Sequence, residues 1–218
     1  VGSIEENAEQ RAAYWPVAVI RAIPLAGLAL WITFSADHSA TFGLLSFGVF
    51  GVVAGIVMAV VAWFRLTRSR ARAFFVAQGA VTVAAGILAL VFHTAGIQVF
   101  FFIITVFAAV TGFLELYSGL RTRRRFVGST DWIAVGAFTA IAALVFLLIP
   151  PGFSQTFTGP DHVKRVLDSA VIAVGLLGAY AAIVAVYLVV AGLSAKWGTQ
   201  ATPAEPQAEE HTEGEIIA

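Results

Sequence analysis

The chain has 218 residues, 59% of them hydrophobic and 12% charged, with a mean hydropathy of +0.88. Soluble domains average roughly 45–50% apolar and about 25% charged, so this composition excludes an ordinary soluble globule and points to a polytopic membrane protein. Thirteen basic residues balance thirteen acidic ones and no cysteine is present, which argues against a nucleic-acid partner and removes disulfides, thiolate metal sites and a cysteine nucleophile.

Residues 1–13, VGSIEENAEQRAA, are polar and mixed in charge, unlike the basic opening of a secretory signal. They are expected to form an N-terminal cytoplasmic segment. From there the hydropathy predicts six membrane spans, roughly 14–34, 42–64, 74–92, 96–117, 132–150 and 166–193. Each approaches or exceeds the ~20 apolar residues that a span needs. All must be helices, because lipid offers no partner to open backbone groups. The expected fold is therefore all-α, a polytopic membrane domain over 14–196, followed by an acidic tail at 197–218.

The first span, which contains VAVIRAIPLAGLAL, holds Arg21 about seven residues from its start, on the order of 10 Å deep at ~1.5 Å per residue. A guanidinium in hydrocarbon is costly unless it pairs or reaches water. Glu115, near the end of the fourth span, enters from the same side and is the candidate partner in an intramembrane ion pair. The alternative is that Arg21 snorkels to the headgroups while Glu115 meets Arg72 or Arg121. Asp168 is expected in the first turn of the sixth span, favouring the helix N-terminus and pairing with Lys164 at i, i+4. Asp131 reads as an N-cap or first-turn acid. At span centres Thr82, Thr105 and Thr139 interrupt otherwise apolar runs.

The loops orient the spans. One connection holds Arg65, Arg68, Arg70 and Arg72, and another holds Arg121, Arg123, Arg124 and Arg125; Arg11 and Lys196 flank the first and last spans. The other side carries only Lys164 and Arg165, so with Arg21 set aside ten basic residues face two. The positive-inside rule then predicts an N-in, C-in arrangement with both arginine loops in the cytoplasm, where they also suit anionic lipid headgroups. Tyr14, Trp15, Trp63, Tyr117, Trp132 and Trp197 fall at the predicted cytoplasmic ends and are expected to anchor helices at headgroup level.

His38, His93 and His162 fall one in each outer loop, with Asp37 and Asp161 beside two of them. They are candidate pH-responsive groups, since histidine titrates nearest neutrality. No compact spacing such as H-x3-H makes them a metal motif, and no metal site is assigned. The outer segment 150–165 is the largest on its side and reads as a loop, with Phe153 and Phe157 available to the interface or a partner. The tail carries Glu205, Glu209, Glu210, Glu213 and Glu215 among prolines, a composition of disordered segments that either stays solvated or docks on basic surfaces.

The chain repeats itself. GAVT at 79–82 returns as GAFT at 136–139, at an offset of 57 residues, and GFLELYSGLR at 112–121 resembles GIVMAVVAWFR at 55–65, again near 57. AVYLVVAGLSAK at 185–196 aligns with 112–123 at an offset of 73, the difference matching the long outer segment. These offsets suggest three hairpin repeats. Small residues recur two turns apart at Gly79 and Gly86, Gly112 and Gly119, and Ala185 and Gly192, and span two adds Gly48, Gly51 and Gly55. They are expected to bring helices close within one chain, or else to form a dimer face.

Residues 72–125, RAFFVAQGAVTVAAGILALVFHTAGIQVFFFIITVFAAVTGFLELYSGLRTRRR, form a glycine-rich helix, a short outer turn, and a helix ending G-x6-G with basic residues. This resembles the repeat of the HdeD-like family, six-helix bacterial membrane proteins named for an acid-resistance member. The likeness covers about 75–195 and more faintly the first pair. The family's outer turn often reads Trp-Pro-Gly; here it is Phe92-His93-Thr94-Ala95-Gly96, and only Pro151-Gly152 keeps the Pro-Gly. The resemblance implies a bacterial cytoplasmic-membrane location and a stress-associated or accessory role.

No dinucleotide, P-loop, zinc-protease or serine-hydrolase signature occurs, so no catalytic residue and no cofactor is assigned and the chain is expected not to be an enzyme. The expected partners are membrane lipids and other membrane proteins or further copies of the chain. An accessory subunit of a larger membrane assembly, such as a respiratory one, and a small transporter or channel are the competing readings.

Overall fold

A computed structural model describes residues 2–65, 70–123, 126–158 and 164–198. It contains six helices, α1 (Gly2–Thr33), α2 (Ala40–Arg65), α3 (Arg70–Val91), α4 (Ile97–Thr122), α5 (Ser129–Leu148) and α6 (Ser169–Trp197). All six are long and apolar enough to cross a bilayer. At ~1.5 Å per residue the shortest, with 20 residues, matches a hydrocarbon core about 30 Å thick. The helix α1 begins at Gly2 and runs through the polar residues before Tyr14. Gly198, in the left-handed region at φ 69°, closes α6 with its N–H on the Ser194 carbonyl. The acidic tail beyond it lies outside the described residues.

The tightest helix contacts are α2 with α3, α4 with α5, and α1 with α6. The first two pairs are joined through the arginine-rich connections rather than the short turns, and the third joins the two ends of the chain. Glycine explains the closeness. A Cβ on Gly55 would lie 2.6 Å from the Gly79 carbonyl oxygen, and one on Gly112 would lie 2.8 Å from the Ala140 nitrogen. Gly51 meets the Cα of Gly86 in the same way, and Gly192 meets the Trp15 carbonyl. Where side chains are absent the backbones approach, and van der Waals contact replaces the hydrophobic drive that lipid cannot supply. The sequence-singled glycines on α2 to α6 thus face neighbours within the chain.

Apolar side chains fill the rest. Leu44, Phe47, Phe100, Ile104 and Phe146 form a core toward the short-turn end, while Val17, Met58, Phe75 and Trp132 pack toward the arginine-loop end. This corrects part of the expected headgroup belt. Tyr14 and Trp132 are 0% and 1% exposed and pack on Phe126, with ring centroids 5.5 and 4.9 Å apart. Trp63, Tyr117 and Trp197 remain exposed. Ring position along a helix gives depth, whereas the helix face decides whether the ring meets lipid or protein.

The segment after α5 also differs from the expected loop. Strands β1 (Ser154–Thr158) and β2 (Lys164–Asp168) pair antiparallel, Ser154 opposite Asp168. The Ser169 N–H donates to the Phe153 carbonyl at 3.0 Å and its hydroxyl to the Pro151 carbonyl at 2.7 Å, clipping the hairpin to α6. The last helix therefore starts at Ser169 rather than 166. Asp168 is its N-cap and accepts from the Val171 N–H at 2.9 Å. Lys164 lies in a strand opposite Thr158, so the helical i, i+4 pairing expected with Asp168 does not apply. Asp131 stands in the first turn of α5, where the Tyr187 hydroxyl donates to it at 3.2 Å.

Candidate functional site

Three polar side chains from three helices meet inside the bundle. Arg21 comes from α1, Gln78 from α3 and Glu115 from α4. Arg21 Nη2 donates to Glu115 Oε1, and Gln78 Nε2 donates to the same oxygen at 2.8 Å. The Arg21 and Glu115 side chains are only 10% and 2% exposed. The structure thus brings the two charged residues singled out in the sequence together, and neither snorkelling nor a contact of Glu115 with Arg72 or Arg121 describes this arrangement. The Arg21 guanidinium carbon also stands 5.2 Å from the Phe75 ring centroid, within the range of a cation–π contact.

The cluster borders a cavity of about 80 Å³ whose walls include Thr82, Thr111, Thr139 and Tyr180. The threonine hydroxyls donate to carbonyls one turn back, those of Gln78, Phe107 and Val135 respectively. Thr139 Oγ1 also lies 2.6 Å from the Tyr180 hydroxyl. Two polar atoms here are buried without a hydrogen-bond partner, Arg21 Nη1 and Gln78 Oε1. One is a donor and the other an acceptor. The charges of Arg21 and Glu115 cancel, and both unpartnered atoms are sealed by their neighbours rather than open to the cavity. Unpaired buried groups of this kind carry a desolvation penalty of about 1–3 kcal/mol each.

A second concavity adjoins the first. It is an apolar groove of about 460 Å³ between α1 and α2, and Pro24 and Phe50 wall both spaces. Gly27 opens it: nothing lies within 4 Å of where its Cβ would be. Pro24 lacks the N–H that would bond the Ile20 carbonyl, an omission that membrane helices tolerate. At the far end the Trp31 indole N–H donates to Ser46 Oγ at 3.2 Å and the Trp31 ring stacks on Phe42. Trp31, Val49 and Val53 stay exposed, so the groove opens sideways from the bundle.

The remaining sequence-singled residues lie elsewhere. His38 is half-buried against Phe42, and His93 Nδ1 is 2.8 Å from the Leu90 carbonyl oxygen. His162 is outside the described residues. No group of three or more potential metal ligands occurs among the described residues. Arg72 lies over the Trp63 ring, Arg121 donates to the Tyr117 hydroxyl at 2.9 Å, and Arg123 caps α4. Arg65 and Arg70 fall at helix ends without described side chains, and Arg68, Arg124 and Arg125 lie outside the described residues.

Sequence reasoning passed over Thr111, Tyr180 and the whole groove, and met Gln78 only as the repeat counterpart of Arg21. Gln78 carried a usable signal: it stands 57 residues after Arg21, at the repeat offset, and is the only amide side chain inside its span. No protein-family model, curated protein or solved structure matches the chain.

Proposed function

We propose that this chain is a non-enzymatic, multi-pass protein of the bacterial cytoplasmic membrane, of the HdeD-like type, with both termini and both arginine loops in the cytoplasm. It works as a stress-associated or accessory component through contacts with lipid and with other membrane proteins. One observation carries the reading. Away from the ends of the six candidate spans, charge among the described residues is confined to Arg21 and Glu115, which neutralise each other inside. Large apolar side chains cover the outside of all six helices. Such a molecule presents its surface to the bilayer and its neighbours rather than a reactive centre.

Three two-helix repeats account for the packing. The Gly55–Gly79 and Gly112–Gly136 contacts are related by the offset of 57 residues. At the same offset Arg21, Gln78 and Val135 are equivalent, as are Met58 and Glu115, and all five border the cavity. The polar cluster therefore sits where the repeats converge, and Arg21 and Glu115 are the points at which the copies have diverged most in charge.

Extraction of the tagged chain from its native membrane in polymer nanodiscs, followed by mass spectrometry, tests the role. The expected result is a protein partner at defined stoichiometry or a sharply enriched lipid. Recovery of the chain alone in bulk lipid contradicts it. The polar cavity favours a transporter as the second reading, which solute flux in proteoliposomes, abolished by Arg21→Ala, would establish instead.

A further inference from the structure

We infer that the polar cavity lies on a pseudo-threefold axis of the bundle and is a built site for bound water, which is the second partner of the Glu115 carboxylate. The inference stands apart from the accessory role.

The repeats close into a ring. A Cβ on Gly119 would meet the Ser129 carbonyl oxygen at 2.9 Å, and one on Gly192 would meet the Trp15 carbonyl oxygen at 3.1 Å. These two contacts are equivalent by the repeat offsets. The α6–α1 pair thus reproduces the α4–α5 pair and closes the ring, as successive like interfaces do around an axis. The cavity wall obeys the same relation. Leu25, Thr82 and Thr139 are equivalent, as are Ala54, Thr111 and Val184. Phe50, Phe107 and Tyr180 form a further set. With the two sets already named, these account for every lining residue except Pro24. A space walled by one residue from each repeat, set after set, lies on the axis that relates them.

The polar wall is short of donors. Thr82, Thr111 and Thr139 spend their hydroxyl protons on carbonyls one turn back, and with Thr139 so engaged the Tyr180 proton goes to Thr139 Oγ1. Each hydroxyl has a single proton, and its oxygen keeps lone pairs. Both donors to Glu115 bind Oε1. Oε2 is not among the sealed, unpartnered atoms, and Glu115 lines the cavity, so Oε2 is the carboxylate atom that an occupant reaches. Water supplies the missing donors with both of its protons. A cavity of about 80 Å³ holds more than one molecule, since liquid water takes about 30 Å³ each.

Other occupants fit worse. An anion would meet the Glu115 charge with every wall hydroxyl already committed as a donor. A cation would add net charge beside Arg21, at a high cost in low dielectric. An apolar group would leave a buried carboxylate oxygen unpaired. Toward the short turns the hydration ends. Phe50, Phe107 and Tyr180 also wall a second space of about 20 Å³, which Phe47, Ile104 and Leu177, again equivalent, line as well. Apolar side chains predominate there, so it stays dry.

Met58, the one methionine of the chain, lines the cavity at the position equivalent to Glu115, and its methyl is a single spectroscopic reporter. Solid-state NMR with polarisation starting on water tests the site, so water itself is the probe. The sample is the full chain, labelled at the methionine methyl carbon, in phosphatidylcholine bilayers with deuterated acyl chains. Water polarisation should reach the Met58 methyl early. Leu177→Met, a swap of similar volume, places a second methyl in the apolar layer, which should be reached only late. Ala54→Leu adds carbons to the cavity wall. It should remove the early transfer and lower the melting temperature, because it displaces the partner of Oε2. A Met58 methyl reached no earlier than the one introduced by Leu177→Met would overturn the inference. So would an Ala54→Leu protein with unchanged transfer, or with a raised melting temperature, the mark of a dry cavity being filled. The nanodisc experiment reads separately: early transfer in a chain recovered alone sinks the accessory role and leaves the water site standing.

Discussion

Arg21 and Glu115 were legible because ionised side chains are rare between helix ends, and rarity in hydrocarbon implies a partner. Gln78 was less visible. An uncharged amide in a glycine-rich run reads as a packing position, and only the repeat offset sets it opposite Arg21. Tyr14 and Trp132 show the complementary limit, since a one-dimensional hydropathy reading assigns depth and leaves the helix face open. The histidines illustrate the same limit: one per outer turn suggests a set, yet His38 packs on an aromatic ring and His93 turns to a nearby carbonyl. Removing single donors from the cluster separates strong from weak bonds. Tyr180→Phe loses one bond between neutral hydroxyls and should lower stability by about 0.5–1.5 kcal/mol. Gln78→Leu strips a donor from a buried carboxylate and should lower it by more, about 1.5–3 kcal/mol. Thermal unfolding in one detergent compares them, and equal losses would deny that Glu115 is the hub.

At the scale of elements, the six helices followed from the length of apolar runs. The β1–β2 hairpin did not follow. Its strand residues, SQTFT and KRVLD, are short, mostly exposed and lack a buried face, so no hydrophobic alternation marks them. Val166 and Leu167 also extended the apolar run into what is in fact β2, until the Asp168 cap fixes the start of α6. The glycines were legible as contact sites but not as to which helices they join. Their role differs by position, and substitution reads it out. Gly55→Ala forces a methyl to within 2.6 Å of the Gly79 carbonyl oxygen and should destabilise the protein by about 1–3 kcal/mol, as overpacking does. Gly27→Ala meets nothing within 4 Å and should be neutral or stabilising by up to about 1 kcal/mol, the helix-propensity gain. Similar melting temperatures for the two would contradict close α2–α3 packing.

For the whole molecule, the apolar surface and the internal polar centre serve different ends. The surface keeps the chain in the bilayer, and the centre fixes how the helices meet. Arg21, Gln78 and Glu115 tie α1, α3 and α4 at one oxygen atom, so helices distant in sequence share a single register. Apolar packing alone is forgiving of rotation, and a buried charge pair is not, because every misrotated arrangement leaves two ions unpaired in low dielectric. The central claim is therefore that Arg21 and Glu115 act as one unit, and a double-mutant cycle in unfolding free energy measures it most directly. Arg21→Leu and Glu115→Leu should each cost about 3–5 kcal/mol, the penalty of stranding a buried charge. The double variant should recover most of that loss, since replacing both members of a buried pair by apolar groups is often neutral. An Arg21→Leu protein as stable as the parent, with no gain on adding Glu115→Leu, would show that the guanidinium only reaches the headgroups and would contradict the account.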